Sequence, residues 1–214
     1  MFLDRSEAGE KLAKCLLGYK DEKPLVLALP RGGVPVAFEV AQALQAPLDL
    51  LLVRKIGAPH HAELAVAAVA DGKEPRLVVN RDVADSLKVD DEYLQAAAKR
   101  ELAEIERRRL RYAVGQSHPD VKDRTVIVVD DGIATGATAK AALILLRAAR
   151  PKTIILAIPV AAPSTLKEFE NLADHVVCLE TPADFYAVGA HYREFPQISD
   201  EQVIKLLKSA MAWA

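Results

Sequence analysis

Short apolar runs alternate along this chain with longer segments whose apolar residues recur at helical spacing. The runs predict strands at 25–29, 48–53, 126–129, 153–160 and 175–179. The longer segments predict helices at 34–44, 137–150 and near 164–171. Strands that alternate with helices form parallel pairs with right-handed crossovers. The pattern therefore predicts an α/β fold, doubly wound around a mainly parallel central sheet.

Both ends of the sequence carry helix signals. Asp4 followed by Glu7 is a capping-box pattern, which predicts a helix to about Gly18. A final helix is predicted to begin at Ser199 or Asp200 and to end near residue 213. We expect one domain over 1–214, because no repeat or low-complexity segment interrupts the chain.

One stretch, 54–123, breaks the alternation. It holds a loop with two histidines, an apolar run at 64–70, a second at 77–79 and a long charged helix from residue 91 to about 112. This is too much sequence for a simple connection, so we expect a structured insertion or a mobile hood.

Composition narrows the classes of protein. The chain has 214 residues, of which 51% are hydrophobic, with a net charge of −2. That balance favours neither nucleic acid nor an anionic membrane surface, and no apolar run reaches membrane-spanning length. Two cysteines are too few for a disulfide framework, so we expect a reducing, cytoplasmic compartment. Cys15 and Cys178 lie among aliphatic residues and are both expected to be buried.

The richest motif follows the strand at 126–129. Asp130 and Asp131 stand at the end of this strand, where open α/β sheets bind ligands. A small polar turn then leads into the helix at 137–150, and such turns offer backbone N–H groups to a phosphate. Paired carboxylates suit vicinal hydroxyls or a divalent cation. Together they indicate a sugar phosphate as ligand.

Two further loops are predicted at the same sheet edge. Pro30-Arg31-Gly32-Gly33 follows the first strand, where two glycines allow close approach of a ligand and Arg31 offers a fork for phosphate oxygens. Arg54-Lys55 is expected to end the second strand. The sequence contains neither a Walker loop nor a dinucleotide-binding glycine motif, which argues against those classes of nucleotide-binding fold.

The strand, the two acids and the turn after them resemble the phosphoribosyl pyrophosphate (PRPP) signature of type I phosphoribosyltransferases. The resemblance implies that Asp130 and Asp131 hold the ribose hydroxyls and contact Mg²⁺ indirectly, through Mg-PRPP. It implies that the 5′-phosphate lies on the turn, formed by Ala134, Thr135, Gly136, Ala137 and Thr138.

The same resemblance assigns the other loops. Arg31, Gly32 and Gly33 would bind the pyrophosphate, with a non-proline cis peptide between Pro30 and Arg31, and Lys55 would neutralise the pyrophosphate as it leaves. Asp130, Asp131, Arg31 and Lys55 are thus the expected catalytic residues. A residue of the flexible loop would assist departure, with three open candidates: Glu63, His60 and Arg81.

The segment 181–198 is expected to bind the acceptor. By its resemblance to 6-oxopurine enzymes, Tyr186 would stack on the base and the backbone of Ala187 would contact its edge. A shift of register would make Phe185 the stacking residue instead. Ala134 stands where those enzymes carry an aspartate that meets the purine ring, so the sequence disfavours a 6-oxopurine acceptor.

Two other charged groups have simpler interpretations. His60, His61 and Glu63 lack a further ligand at useful spacing for zinc, so they are better read as loop residues, with contact to a base left open. The arginine-rich helix at 99–111 carries interleaved acids. That pattern is more typical of a solvated face than of a surface for RNA or a partner.

The expected function is transfer of a phosphoribosyl group from PRPP to a nitrogenous base, with Mg²⁺ and release of pyrophosphate. Closure of the insertion would exclude water. The alternatives are a PRPP- or nucleotide-sensing regulatory protein and a sugar-phosphate or nucleotide hydrolase on the same fold. The large insertion could also support a homodimer.

Overall fold

A computed structural model of the chain describes residues 1–59, 61–70, 75–112 and 120–213. Its strands are β1 (Leu25–Ala28), β2 (Leu48–Leu50), β3 (Val53–Ala58), β4 (His61–Ala70), β5 (Arg76–Val79), β6 (Thr125–Val129), β7 (Thr153–Val160) and β8 (His175–Glu180). Five of them form a parallel sheet in the order β2-β1-β6-β7-β8. The predicted α/β architecture with a parallel central sheet is confirmed.

The predicted helices occur in the expected order, and one short helix, Arg81–Ser86, was not predicted. The helices are α1 (Arg5–Leu16), α2 (Gly33–Leu44), α3 (Arg81–Ser86), α4 (Asp91–Arg111), α5 (Ala137–Ala148), α6 (Pro163–Lys167) and α7 (Asp200–Ala210). Asp4 caps α1 by accepting the N–H of Glu7 at 2.9 Å. Ser199, rather than Asp200, caps α7, and Gln202 completes a capping box.

Helices cover both faces of the central sheet. On β6, Val126 and Val128 pack in one cluster with Leu143 of α5. Ile127 and Val129 point the other way, into the cluster that contains residues of α1, α2 and α7. A strand buried on both faces has to be apolar throughout, which is why β6 reads as an unbroken hydrophobic run.

The predicted strand at 48–53 is wrong, because the run divides between two sheets. Leu51 still donates a hydrogen bond to the Ala28 carbonyl at 2.9 Å, beside the central sheet. Val53 instead pairs with Ala70 and opens an antiparallel sheet in the order β3-β4-β5. The hydrophobic pattern of the sequence could not show where the chain passes from one sheet to the other, because the residues on either side of that point are all apolar.

The described part of the insertion is a packed layer. Its sheet lies between α4 and α5, and Ile56, Val66 and Ile105 join the main core cluster. The Tyr93 hydroxyl donates to the Gly57 carbonyl at 2.9 Å, which fixes α4 on the hairpin. Because its apolar side chains pack in the same cluster as those of the central sheet, this layer is an integral part of the domain.

Helix α4 has the solvated face that its alternating charges predicted, with Lys99, Arg100 and Arg107 exposed, but its C-terminal end also makes ion pairs with other elements. Arg109 is buried, and its guanidinium reaches the Asp49 carboxylate and the Leu50 carbonyl at 3.3–3.5 Å. Arg111 binds Asp200 of α7 at 2.7 Å. Charge patterning could not show this, because the acids that receive these arginines lie on other elements.

The cysteines differ from each other. Cys178 is partly buried, whereas Cys15 is exposed, so the prediction that both are buried is wrong for Cys15. Helix α1 buries Leu12 and Leu16 in the core cluster, and Cys15 lies beside this buried stripe, on an exposed flank of the helix. Among the described residues, no helix is both long and apolar enough to cross a membrane.

Candidate functional site

The candidate site lies where the strand order reverses. The chain passes from β1 to β2 on one side of the sheet, and from β6 to β7 and β8 on the other. Loops that leave two such neighbouring strands diverge and open a crevice at their carboxyl ends. The loop after β1 carries Pro30-Arg31-Gly32-Gly33, and the loop after β6 carries Asp130-Asp131.

The two loops are in direct contact through glycine. A Cβ added to Gly32 would lie 2.1 Å from Oδ2 of Asp131, and one added to Gly33 would lie 2.6 Å from the Val129 carbonyl oxygen. The peptide between Pro30 and Arg31 is cis, as predicted. Only bare backbone fits between β1 and the acids, so the glycines bring the two motifs together.

The second acid is held from several directions. Arg5, in the first turn of α1, donates from Nε to Oδ2 of Asp131 at 2.8 Å. The Tyr192 hydroxyl donates to the Asp131 backbone carbonyl at 2.6 Å. The Asp131 N–H in turn donates to Oδ1 of Asp130 at 2.9 Å. The acid pair therefore has a fixed geometry before any ligand arrives.

The electrostatics of the two acids differ. Burial, and next the negative charge of Asp131, raise the pKa of Asp130 well above its ordinary value, while the positive charge of Arg5 acts in the opposite direction. Burial chiefly raises the pKa of Tyr192, so its phenol remains a hydrogen-bond donor. The site thus combines one carboxylate held by a cation with one whose ionisation is opposed.

The turn after the acids is shaped for a compact anion. Gly136 has a positive φ of 71°, and a Cβ there would lie 2.8 Å from the Phe169 ring. Thr165 donates to the Ala134 carbonyl at 2.7 Å and fixes the turn on α6. In the described part of the chain no side chain caps α5, so the N–H groups of its first turn are available to a phosphate.

The two aromatics proposed for the base differ in exposure. Phe185 stacks on His191 with centroids 5.4 Å apart and packs beside the cluster of Phe2 and Tyr192. Tyr186 is 93% exposed. Exposure leaves the ring of Tyr186 open to a flat ligand, whereas the ring of Phe185 is engaged in packing.

A pocket of about 460 Å³ opens beside the acid pair. Arg5, Arg31 and Asp131 supply its charges, and Phe195 forms part of its wall. Arg31 lies 3.7 Å from Oδ1 of Asp200. Two guanidinium groups therefore line the pocket, next to the contact between the glycine loop and the acids.

Lys55 is not brought to this pocket. It lies inside β3, opposite Ala68 of the antiparallel sheet, and its side chain is exposed. The expectation that it ends the second core strand is therefore wrong. Its neighbour Arg54 lines a small cavity of about 40 Å³ together with Pro30, Arg108 and Thr138.

The candidates for the flexible loop are also distant or undescribed. Arg81 binds Asp91 at 2.8 Å, at the first residue of α4. Arg111 near the site is at the other end of this helix, whose 21 residues span about 30 Å. His60 and the side chain of Glu63 lie outside the described residues, and His61 is exposed.

The site offers a metal ion only a pair of carboxylates among the residues that the structure describes. In the ranges that the structure describes, no group of three or more His, Cys, Asp or Glu side chains could hold a metal ion. Asp130 and Asp131 form a pair of carboxylates. Such a pair fits Mg²⁺, which proteins commonly bind through one or two carboxylates with the rest of its ligands from substrate phosphates and water.

Comparison with known proteins decides the family. The phosphoribosyl transferase domain family matches residues 4–194, which include the glycine loop at 30–33, Arg54-Lys55 and the acid pair with its turn at 130–138. The chain belongs to the type I phosphoribosyltransferases. The chain is 41% identical to TT1426 from Thermus thermophilus, whose crystal structure superposes with a TM-score of 0.87 over 100% of this chain and 99% of that one.

The curated relatives are longer than this chain or match a smaller part of it. It is 45% identical over 210 residues, 98% of its length, to a "Putative phosphoribosyl transferase" of Mycobacterium tuberculosis H37Rv. The chain spans about half the length of that relative, 47%. A uracil phosphoribosyltransferase of Desulfitobacterium hafniense DCB-2 is 39% identical over 81 residues, 38% of each chain.

Four residues of the candidate site carry no local signal in the sequence. They are Arg5, Arg108, Tyr192 and Asp200. Each stands on an element whose local pattern shows only a helix or a loop, and each reaches the site across a long sequence separation. The sole local signal was the density of charge on α4, which does not say which arginine faces a ligand.

Proposed function

We propose that this protein transfers the 5-phosphoribosyl group of PRPP to a nitrogenous base, with Mg²⁺, and releases pyrophosphate. The observation that carries the proposal is the contact between Gly32 and the Asp131 carboxylate. It brings a glycine loop suited to pyrophosphate against an acid pair suited to ribose. The open first turn of α5 lies beyond the acids.

Each part of the donor then has a partner. The ribose hydroxyls would donate hydrogen bonds to Asp130 and Asp131. The 5′-phosphate would lie on the backbone of residues 134–138, at the N-terminus of α5. The pyrophosphate would lie on residues 31–33, where Arg31 and the pocket beside it provide positive charge.

Catalysis on this arrangement requires charge stabilisation rather than a protein nucleophile. As the bond at C1 of the ribose breaks, negative charge grows on the pyrophosphate and positive charge on the sugar ring. Arg31 would stabilise the first, and the Asp130-Asp131 pair the second. The two acids would contact Mg²⁺ indirectly, through Mg-PRPP, and the ion would supply further positive charge to the leaving group.

Helix α4 supplies a further cation in this proposal. Arg108 lines the small cavity that also touches Pro30 of one loop and Thr138 of the other. It is therefore better placed than Lys55 to face the phosphates of PRPP. The packed sheet beneath α4 would hold this arginine in position, so water exclusion need not depend on movement of the whole insertion.

The acceptor is proposed to be a nitrogenous base that stacks on Tyr186 beside the backbone of Ala187. Ala134 carries no carboxylate, which supports an acceptor other than a 6-oxopurine. The partial match to a uracil enzyme gives one base to test first.

The test is incubation with PRPP and Mg²⁺, alone and with each of a panel of bases, while pyrophosphate release is followed. Release that requires one base supports transfer. Release without any base would indicate hydrolysis, and binding of PRPP without release would indicate a sensing role. The Asp130→Ala/Asp131→Ala double variant is the control, since it should remove PRPP binding while the fold is retained.

A further inference from the structure

Arg5 joins the N-terminal helix to the acid pair across 126 positions of sequence. Its Nε donates to Oδ2 of Asp131 and its Nη1 donates to the Pro196 carbonyl, both at 2.8 Å. The guanidinium carbon lies 3.7 Å above the centre of the Phe195 ring. A carboxylate, a carbonyl and an aromatic face thus fix this side chain on three sides.

The ion pair is shielded from water. The side chain of Arg5 is 8% exposed and that of Asp131 is 14% exposed. A buried ion pair adds little net stability, because desolvation of both charges opposes their attraction, and an apolar side chain often packs as well. Helix α1 already has Leu12 and Leu16 in the core to anchor it. Anchoring of α1 therefore does not explain a charged residue at position 5.

The geometry leaves one oxygen of the acid for a ligand. Arg5 engages Oδ2, and within the part of the chain that the structure describes no hydrogen bond is made to Oδ1 of Asp131. The Tyr192 hydroxyl fixes the carbonyl of the same residue, so backbone and side chain are both held. A carboxylate oriented in this way can accept a ligand hydroxyl without first losing rotational freedom.

We infer that Arg5 is a positioning residue for the donor: it holds Asp131 in the orientation that binds the hydroxyls of a ribose phosphate. This role rests on the proposed function, because the ligand is PRPP. Arg5 acts through the acid and not by contact with the reacting atoms. Residues 195–196 contribute to this positioning, since they contact the Arg5 guanidinium away from Asp131.

The first experiment compares Arg5→Met with Arg5→Lys and with Arg147→Met. Arg147 is also paired with an aspartate, Asp174 at 3.1 Å, but on the helix α5 away from the acids. We expect Arg5→Met to lower kcat/KM for PRPP by about 10- to 100-fold, mainly through KM, with KM for the base unchanged. Arg5→Lys should recover part of the loss, and Arg147→Met should behave as wild type.

Chemical rescue separates positioning from a structural role. Arg5→Ala leaves space in an open pocket, so guanidinium at non-denaturing concentration should restore part of its PRPP affinity. It should restore none in Asp131→Asn. If folded Arg5→Ala is not rescued, or if Arg5→Lys is as impaired as Arg5→Met, the positioning role is refuted.

A double-mutant cycle on PRPP affinity tests the route of action. If Arg5 works through Asp131, Arg5→Met should weaken binding in the wild type but not further in Asp131→Asn. Equal losses in both backgrounds would overturn the inference. Wild-type protein that does not bind PRPP would refute the proposed function itself, and the role of Arg5 with it. Wild-type binding that Arg5→Met leaves unchanged would refute the role of Arg5 alone.

Discussion

Gly32 stands against the carboxylate of Asp131, so close that an added Cβ would lie 2.1 Å from Oδ2. This single contact joins the loop after β1 to the loop after β6. It also shows why neither loop can be altered independently of the other.

We predict that Gly32→Ala displaces the Asp131 carboxylate and weakens PRPP binding by at least about tenfold. The forced contact should also lower the free energy of unfolding by about 1–3 kcal/mol. Gly18→Ala is the matched control, since a Cβ at Gly18 meets nothing within 4 Å. Urea unfolding and calorimetric titration with PRPP measure the two effects. A fully active Gly32→Ala would show that the loops do not form one site.

A second prediction concerns the buried acid. The pKa of Asp130 is raised in the folded protein, so its carboxyl ionises less readily there than in the unfolded chain. The free energy of unfolding should therefore fall as pH rises from the ordinary carboxyl pKa through the raised one. Asp130→Asn should therefore raise the free energy of unfolding at about pH 8 by roughly 0.5–2 kcal/mol. The gain should shrink towards about pH 4.5, where the wild-type carboxyl is protonated in the folded protein.

Thermal melts of both proteins across this range check that prediction. Asp184→Asn, a change at an exposed acid, is the control and should show no such pH dependence. The stabilised variant should lose phosphoribosyl transfer, because its amide cannot replace the negative charge beside the ribose. A variant that is less stable than wild type at high pH would contradict the assignment.

Two neighbouring arginines offer a test of the cation from α4. Arg107 and Arg108 both bind Glu104, but only Arg108 lines the cavity between the loops. Arg108→Met should lower kcat at saturating PRPP by at least about tenfold, because a fixed charge near the leaving group is lost. Arg107→Met should leave kcat near wild type. Equal effects from the two substitutions would mean that the helix acts only through its packing.

The cysteines give a check on burial that is independent of catalysis. Burial raises the pKa of the Cys178 thiol to about 11, whereas Cys15 is exposed on α1. Iodoacetamide at neutral pH should therefore alkylate Cys15 in the folded protein, and Cys178 only after unfolding in urea. Mass spectrometry of Cys15→Ser isolates the second site. Rapid labelling of folded Cys15→Ser would contradict the burial of Cys178.

Much of the central sheet could be predicted from the sequence. The predicted strand at 153–160 matches β7 at both ends, and helix α2 begins one residue before its predicted start. These elements carry strong local signals, since a strand covered on both faces has to be apolar and a helix repeats its apolar face every 3.6 residues. The two loops of the site follow from the same logic, because parallel strands present their carboxyl ends at one edge.

The fold class, the acid pair and the glycine loop could be recognised in the sequence, because each is a feature of contiguous residues. Three other features depend on tertiary packing: β2 ends at Leu50, Lys55 belongs to another sheet, and Arg5 holds Asp131. All three have the same origin. A change of strand partner or an ion pair across 126 positions depends on which elements pack together, and no local periodicity records that packing.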